Sequence, residues 1–219
     1  MFLAIENVLC PAEVAAIRAE AAEMTFDDGR VTAGRFAQQV KANAQAAPSP
    51  ELEAVQAKVQ AALMAHPVFA SAARPRAMTR LILSRYRAGQ TYGLHVDDAL
   101  MQGVRTDLSF TLFLSDPDSY DGGALEIEEP LETRAIRLPA GSLILYPSTT
   151  LHRVSPVTRG ERLAVVGWVQ SWIRSPGQRE VLFDLDRAVQ QVHAQDGKTA
   201  LFDTLTKTRS NLLRMWAEG

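Results

Sequence analysis

The chain has 219 residues, 47% of them hydrophobic and 22% charged, with a formal net charge of −2 and a single cysteine, Cys10. That is the make-up of a soluble globular protein long enough to bury a sizeable core without staples, as one domain with appendages or two small ones. It excludes an intramolecular disulfide and argues against a strong global field for nucleic acid or an acidic membrane surface; no run approaches the ~18 apolar residues of a membrane span.

The N-terminus has no basic stretch and carries Glu6 early, so it does not read as a signal peptide, and the cytoplasm is the expected setting. Phe2 to Val8 reads as a short strand. Cys10-Pro11-Ala12-Glu13 opens a helix, with Pro11 early and acidic Glu13 in the first turn, and helix propensity stays high through Met24. Phe26-Asp27-Asp28-Gly29-Arg30 reads as a turn. After the break Ala46-Ala47-Pro48-Ser49-Pro50, Ser49 is placed to cap a second helix over 51–65, whose apolar stripe is Leu52, Val55, Val59 and Leu63. From Met78 to about Trp172 the pattern changes to short apolar segments punctuated by Gly, Pro and Asp. Eight strands are expected, at 78–87, 91–96, 106–114, 124–127, 132–138, 142–146, 151–154 and 162–171, and a double-sheet jelly roll is the natural architecture. Leu108, Phe110, Leu112 and Leu114 alternate, so their strand should bury one face. Asp121-Gly122-Gly123 and Pro139-Ala140-Gly141 are turns; no helix follows the glycine pair directly, so it is no phosphate cradle. From Ser175 the chain turns helical again, through Val181, Leu185, Ala188, Val189 and Val192, and Leu201 to Trp216 forms another helix. The division expected is 1–77 as supporting strand and helices, 78–174 as the jelly-roll core, and 175–219 as a C-terminal helical extension packed on it.

The chemistry concentrates in His95-Val96-Asp97, with His152 later and Arg162 ten residues beyond it. Residues i and i+2 of a strand share a face, and a third ligand arrives from a later strand. Two imidazoles and one carboxylate on one face of an iron leave the opposite face open, which is the facial arrangement of non-haem Fe(II) oxygenases. Arg162 supplies a fixed cation able to hold a dicarboxylate by its far end. If the strands of His152 and Arg162 are antiparallel neighbours joined by a turn, the two lie side by side. The other histidines have plainer readings. His66 precedes Pro67 at a helix end, and His193 lies far from any second ligand-like cluster. Arg74, Arg76, Arg80, Arg85 and Arg87 read as a solvated strand face ahead of a substrate-binding patch, and Trp168 and Trp172 as core or interface anchors.

Longer stretches carry a family likeness: 85–97 (RYRAGQTYGLHVD), 120–125 (YDGGAL), 138–148 (LPAGSLILYPS), 151–154 (LHRV), 158–170 and 171–175. Over about 78–185 the chain resembles the Fe(II)- and 2-oxoglutarate-dependent oxygenases, and among them the bacterial PKHD-type hydroxylases related to the prolyl 4-hydroxylase catalytic domain. The resemblance implies that His95, Asp97 and His152 ligate iron and that Arg162 binds the distal carboxylate of 2-oxoglutarate. It implies hydroxylation of a C–H bond with release of succinate and CO2. In related halogenases a small residue replaces the carboxylate, so Asp97 favours hydroxylation. Tyr86 matches a tyrosine that reaches the co-substrate in related prolyl hydroxylases; Tyr92 is the other candidate to face the site, and either ring could simply pack at the barrel rim. Fe(II) and 2-oxoglutarate are the expected cofactors, with ascorbate as a candidate reductant. The expected partner is a small-molecule or peptidyl substrate, with no nucleic acid and no membrane, and with a homo-oligomer left open. The competing reading is a cupin-like metal-binding module or non-oxidative metal enzyme, neither of which needs a cation ten residues after the last ligand.

Overall fold

Proline placement sets most helix starts. Pro11, Pro50, Pro67 and Pro176 each lie in the first turn of a helix, where a missing N–H is no loss. They open α1 (Pro11–Glu23), α2 (Pro50–Ala65), α3 (Pro67–Ala73) and α4 (Pro176–Asp196), while α5 (Ala200–Trp216) begins on Thr199, whose hydroxyl accepts from Phe202 N at 3.2 Å. The computed structural model describes residues 1–129 and 131–218. Ser49 caps α2 by accepting from Leu52 N at 3.2 Å, and all four residues of the expected stripe are buried. α3 departs from expectation: Pro67 does not merely end α2 but occupies the first turn of a new helix.

Among the described residues the strands form two main antiparallel sheets. The larger has eight strands, in the order Leu3–Ile5, Leu143–Pro147, Leu108–Phe113, Glu161–Ser171, Ile82–Arg87, Ala44–Ala46 and Phe26–Asp28, with Pro75–Met78 also pairing to Glu161–Ser171. The smaller has five, in the order Thr133–Ile136, Leu125–Glu128, His152–Val154, Thr91–His95 and Lys41–Ala42. Each expected strand has a counterpart, though 78–87 divides into Pro75–Met78 and Ile82–Arg87. Three short strands between 26 and 46 were not expected. Phe26–Asp28, read as a turn, pairs with Ala44–Ala46 before the chain enters a 3-10 turn at Gly29–Thr32. These pairings are two or three residues long, too short to show a period of two.

Three layers result. α1, α2 and α3 cover the outer face of the large sheet, where Ile17, Val55, Leu63 and Phe69 pack with Leu83, Phe110, Leu145 and Leu163. A second cluster, including Tyr86, Phe113, Ile127, Ile144 and Tyr146, fills the space between the sheets. This is the jelly-roll sandwich. The strand Leu108–Phe113 is buried along its whole length. Leu108, Phe110 and Leu112 face the helices as the alternation requires, while Ser109 and Thr111 turn toward the cavity between the sheets. The arginine cluster disperses: Arg74 pairs with Asp186, Arg76 lies over the Trp172 ring, and Arg85 over Phe26.

α4 packs on α3 and α5 packs on α4. Leu182 and Val189 of α4 are buried, and Asp186 accepts from Ser71 and pairs with Arg74 at 2.5 Å and Arg209 at 3.2 Å. No helix among the described residues is long and apolar enough to cross a membrane. Truncation after Ser175 would remove the buried Leu182 and Val189 and uncover the side of α3 on which α4 packs. Burying an aliphatic side chain of this size is worth about 1.5–3 kcal/mol. The truncated chain is therefore expected to melt at least about 6 °C lower, or to precipitate. A soluble truncation with an unchanged melting temperature by calorimetry would contradict this account.

Candidate metal centre

The strand Thr91–His95 delivers His95 and then releases the chain, so that Asp97 follows two residues later on the same side. His152 begins the neighbouring strand, in register opposite His95. His95, Asp97 and His152 come together with one ligand atom each, all within 4.8 Å of one another. His95 Nε2 is 4.0 Å from Asp97 Oδ1, and His152 Nε2 is 3.8 Å from Asp97 Oδ2.

The tautomers follow from the backbone. His95 Nδ1 lies 2.8 Å from Gly93 O and His152 Nδ1 lies 3.0 Å from Thr150 O. A carbonyl can only accept, so each Nδ1 carries the proton and each Nε2 turns a lone pair toward Asp97. Asp97 is held in turn: its Oδ2 accepts from Ser109 Oγ at 2.6 Å, and Ser148 Oγ, 2.8 Å from Ser109 Oγ, donates onward to that hydroxyl. Such partners fix ligand orientation in metal sites. Two neutral nitrogens and one restrained carboxylate suit a divalent iron, with no fourth protein ligand among the described residues to close the far side.

Burial and the neighbouring His152 ring push His95 down to about 4, against the Gly93 carbonyl and Asp97, which favour its proton. The unfolded chain therefore takes up this proton first as pH falls through 6.5, and stability drops between about pH 6.5 and pH 4. The shift corresponds to about 3 kcal/mol in the metal-free protein. Urea unfolding at pH 7.5 and pH 4.5 is expected to show that loss in the wild type and to show less of it in His95→Gln. Equal losses in the two proteins would count against it.

Arg162 lies across from this centre, but not on a neighbouring strand. The short strand Val157–Arg159, paired with Asp121–Gly122, carries the chain from the small sheet to the large one, where Glu161–Ser171 pairs with Leu108–Phe113 and Ile82–Arg87. The guanidinium reaches the cavity from the opposite sheet, and the hairpin reasoning does not hold. Arg162 is 1% exposed, with its Cζ 5.3 Å from the Tyr86 ring centroid and 5.2 Å from that of Phe113. Its Nε and Nη2 are buried without a hydrogen-bond acceptor. An orphaned guanidinium in an interior is costly unless something anionic arrives, so the site fits a carboxylate-bearing co-substrate. Gly123 makes room for it: a Cβ there would stand 3.2 Å from Arg162 Cδ, at a backbone φ of +61°.

The two tyrosines separate. Tyr86 sits in register opposite Arg162 and is fully enclosed; burial raises its phenol, and Arg162 offsets part of that. Tyr92 stacks on the His95 ring, with centroids 3.7 Å apart. Tyr146, not singled out in the sequence, stands edge-on to His152 at 5.2 Å. Lys41 was also missed. It lines the same cavity, and burial pushes it down to about 8 while Asp97 and Asp28 hold it up. His66 caps a helix and His193 packs against Phe202, away from the centre.

Residues 81–170 match the family model of the 2OG-Fe(II) oxygenase superfamily, and residues 177–218 match that of the PKHD-type hydroxylase C-terminal domain. The fold agrees with solved structures of this class. The chain superposes on a Pseudomonas putida prolyl-4-hydroxylase with a TM-score of 0.55 at 20% identity, covering 78% of this chain and 92% of that one. It superposes on HygX from Streptomyces hygroscopicus, solved with nickel and 2-oxoglutarate bound, with a TM-score of 0.57 at 16% identity over 78% and 84% of the two chains. The class is thus an oxygenase that couples Fe(II) to 2-oxoglutarate. Full-length relatives narrow it: a PKHD-type hydroxylase of Maricaulis maris is 51% identical over 219 residues and one of Picosynechococcus 48%, each covering 100% of both chains. The chain belongs to the PKHD-type hydroxylases. It is a 2-oxoglutarate-dependent dioxygenase that hydroxylates a C–H bond and releases succinate and CO2.

Proposed function

We propose that His95, Asp97 and His152 hold the iron and that Arg162 anchors the distal carboxylate of 2-oxoglutarate, with Tyr86 as the wall beside it. The observation that carries this is the buried guanidinium with two unpartnered nitrogens, set across the cavity from three converging ligand atoms. When bound, the iron and 2-oxoglutarate supply dioxygen activation and the oxidative decarboxylation that yields succinate and CO2. The chain's own contribution is positional. The Gly93 and Thr150 carbonyls keep both imidazoles neutral at Nε2, and Ser109 fixes one carboxylate oxygen of Asp97. Tyr86 and Phe113 flank the guanidinium and keep water from it, which strengthens its hold on an anion.

The partner we propose is a small-molecule or peptidyl substrate, with ascorbate as the reductant and the cytoplasm as the setting; the single exposed cysteine suits a reducing compartment. Tyr92 is the plainer case, a ring that orients His95 rather than a group that reaches the co-substrate. The test is the visible band that develops when Fe(II) and 2-oxoglutarate are added without oxygen, followed by a screen for substrates that stimulate succinate release. A folded protein that gives no band and no succinate would overturn the assignment of these residues.

A further inference from the structure

Two donors in the cavity wall have no part in holding iron or 2-oxoglutarate. The first is Lys41, 7% exposed, on the edge strand of the small sheet. It stands in register opposite Tyr92, with its Nζ 4.8 Å from the centroid of that ring, and donates to Thr32 Oγ1 at 3.0 Å. Among the described residues it forms no ion pair. The second is Trp168, in register opposite Ser109 and so on the face that carries the hydroxyl holding Asp97. Its Nε1–H is buried without an acceptor.

Charge bookkeeping leaves Lys41 over. With the roles proposed above, the iron dication and the Arg162 guanidinium are balanced by Asp97 and the two carboxylates of 2-oxoglutarate. Asp28 acts on Lys41 from outside but is already bound by Arg30, and Asp98 lies exposed at the mouth. A buried ammonium with no anion of its own is costly, and an indole N–H without an acceptor adds to that cost. Both deficits are met by one kind of ligand, an acceptor-rich anion. Trp168 also lines an adjoining groove of about 490 Å³, shared with Thr32, Ile82 and Met101, which lies in the usual range for small-molecule sites. Lys41 and Thr32 lie outside residues 81–170, the stretch that matches the oxygenase superfamily.

We propose that the prime substrate carries a carboxylate, received beside the metal by the Lys41 ammonium and the Trp168 indole N–H. This rests on the roles given to Asp97 and Arg162. Zinc-loaded protein with saturating 2-oxoglutarate, which cannot turn over, is titrated with hexanoate and with hexanamide. The Trp168 indole resonance is followed by 15N NMR and assigned through Trp168→Phe. Hexanoate is expected to move it with an apparent affinity at least about tenfold above that of hexanamide. Lys41→Met should abolish the preference and Lys41→Arg should retain it. An equal response to both probes, no response to hexanoate up to tens of millimolar, or a preference that survives Lys41→Met overturns the proposal. If Lys41→Met does not fold, the wild-type comparison and Lys41→Arg decide it. A wild type that binds no 2-oxoglutarate in the anaerobic band assay fails the assignment of the co-substrate site instead, so the two failures are told apart.

Discussion

Arg162→Ala is expected to weaken 2-oxoglutarate binding between about thirty-fold and several thousand-fold while leaving Fe(II) affinity nearly unchanged. The range follows from the ~2–5 kcal/mol lost when one member of a buried charge pair is removed and the other stays behind. Burial is what places the effect in that range: at 1% exposure, with Tyr86 and Phe113 against it, the guanidinium is not replaced by water at no cost. Arg162→Lys should fall between, because an ammonium offers a point charge and not two parallel N–H bonds. Titration of the anaerobic charge-transfer band measures the affinity directly. An Arg162→Ala protein that binds 2-oxoglutarate as tightly as wild type would remove the main support for this site beyond the metal.

His152→Ala is expected to reduce iron binding and turnover more than a hundred-fold in a protein that stays folded. The grading comes from the shells of the site. Removing a partner that only orients a ligand costs about 10–100-fold in metal affinity, so Ser109→Ala, which frees Asp97 Oδ2, is expected in that range. Removing a ligand itself exceeds it. Metal affinity by calorimetry with nickel, alongside near-ultraviolet circular dichroism, separates the two variants from a general loss of structure. Undiminished 2-oxoglutarate turnover by folded His152→Ala would rule out its place among the ligands.

His95 and Asp97 were legible as a pair because their spacing is local, and the structure brings His152, from 55 residues further on, into the same cluster. What was not legible depended on the path of the chain. Arg162 follows His152 by ten residues, and a hairpin would have set them side by side, yet the chain crosses between sheets at Val157–Arg159 and brings the cation in from the far wall. Ser109 was visible only as the polar half of an alternation whose apolar half drew attention. Lys41 sits in a two-residue strand with no periodicity to read. α3 was hidden because a proline can end one helix and begin the next. The jelly roll itself was readable, since alternating segments and turn residues outline its strands; the strands between 26 and 46 were too short for the same signal.

The two carbonyls behind the histidines locate the fragility of this centre. Gly93 O and Thr150 O belong to the main chain, so no change of side chain at either position deletes the acceptor that selects the tautomer. At 93 the limit is room, because an added Cβ would stand 2.7 Å from Val40 Cβ. Asp97 has no such insurance: its restraint is a serine hydroxyl that one base change in a codon can remove. The tautomer of each imidazole therefore does not depend on a side chain at 93 or 150, while the hold on the Asp97 carboxylate depends on the single side chain of Ser109.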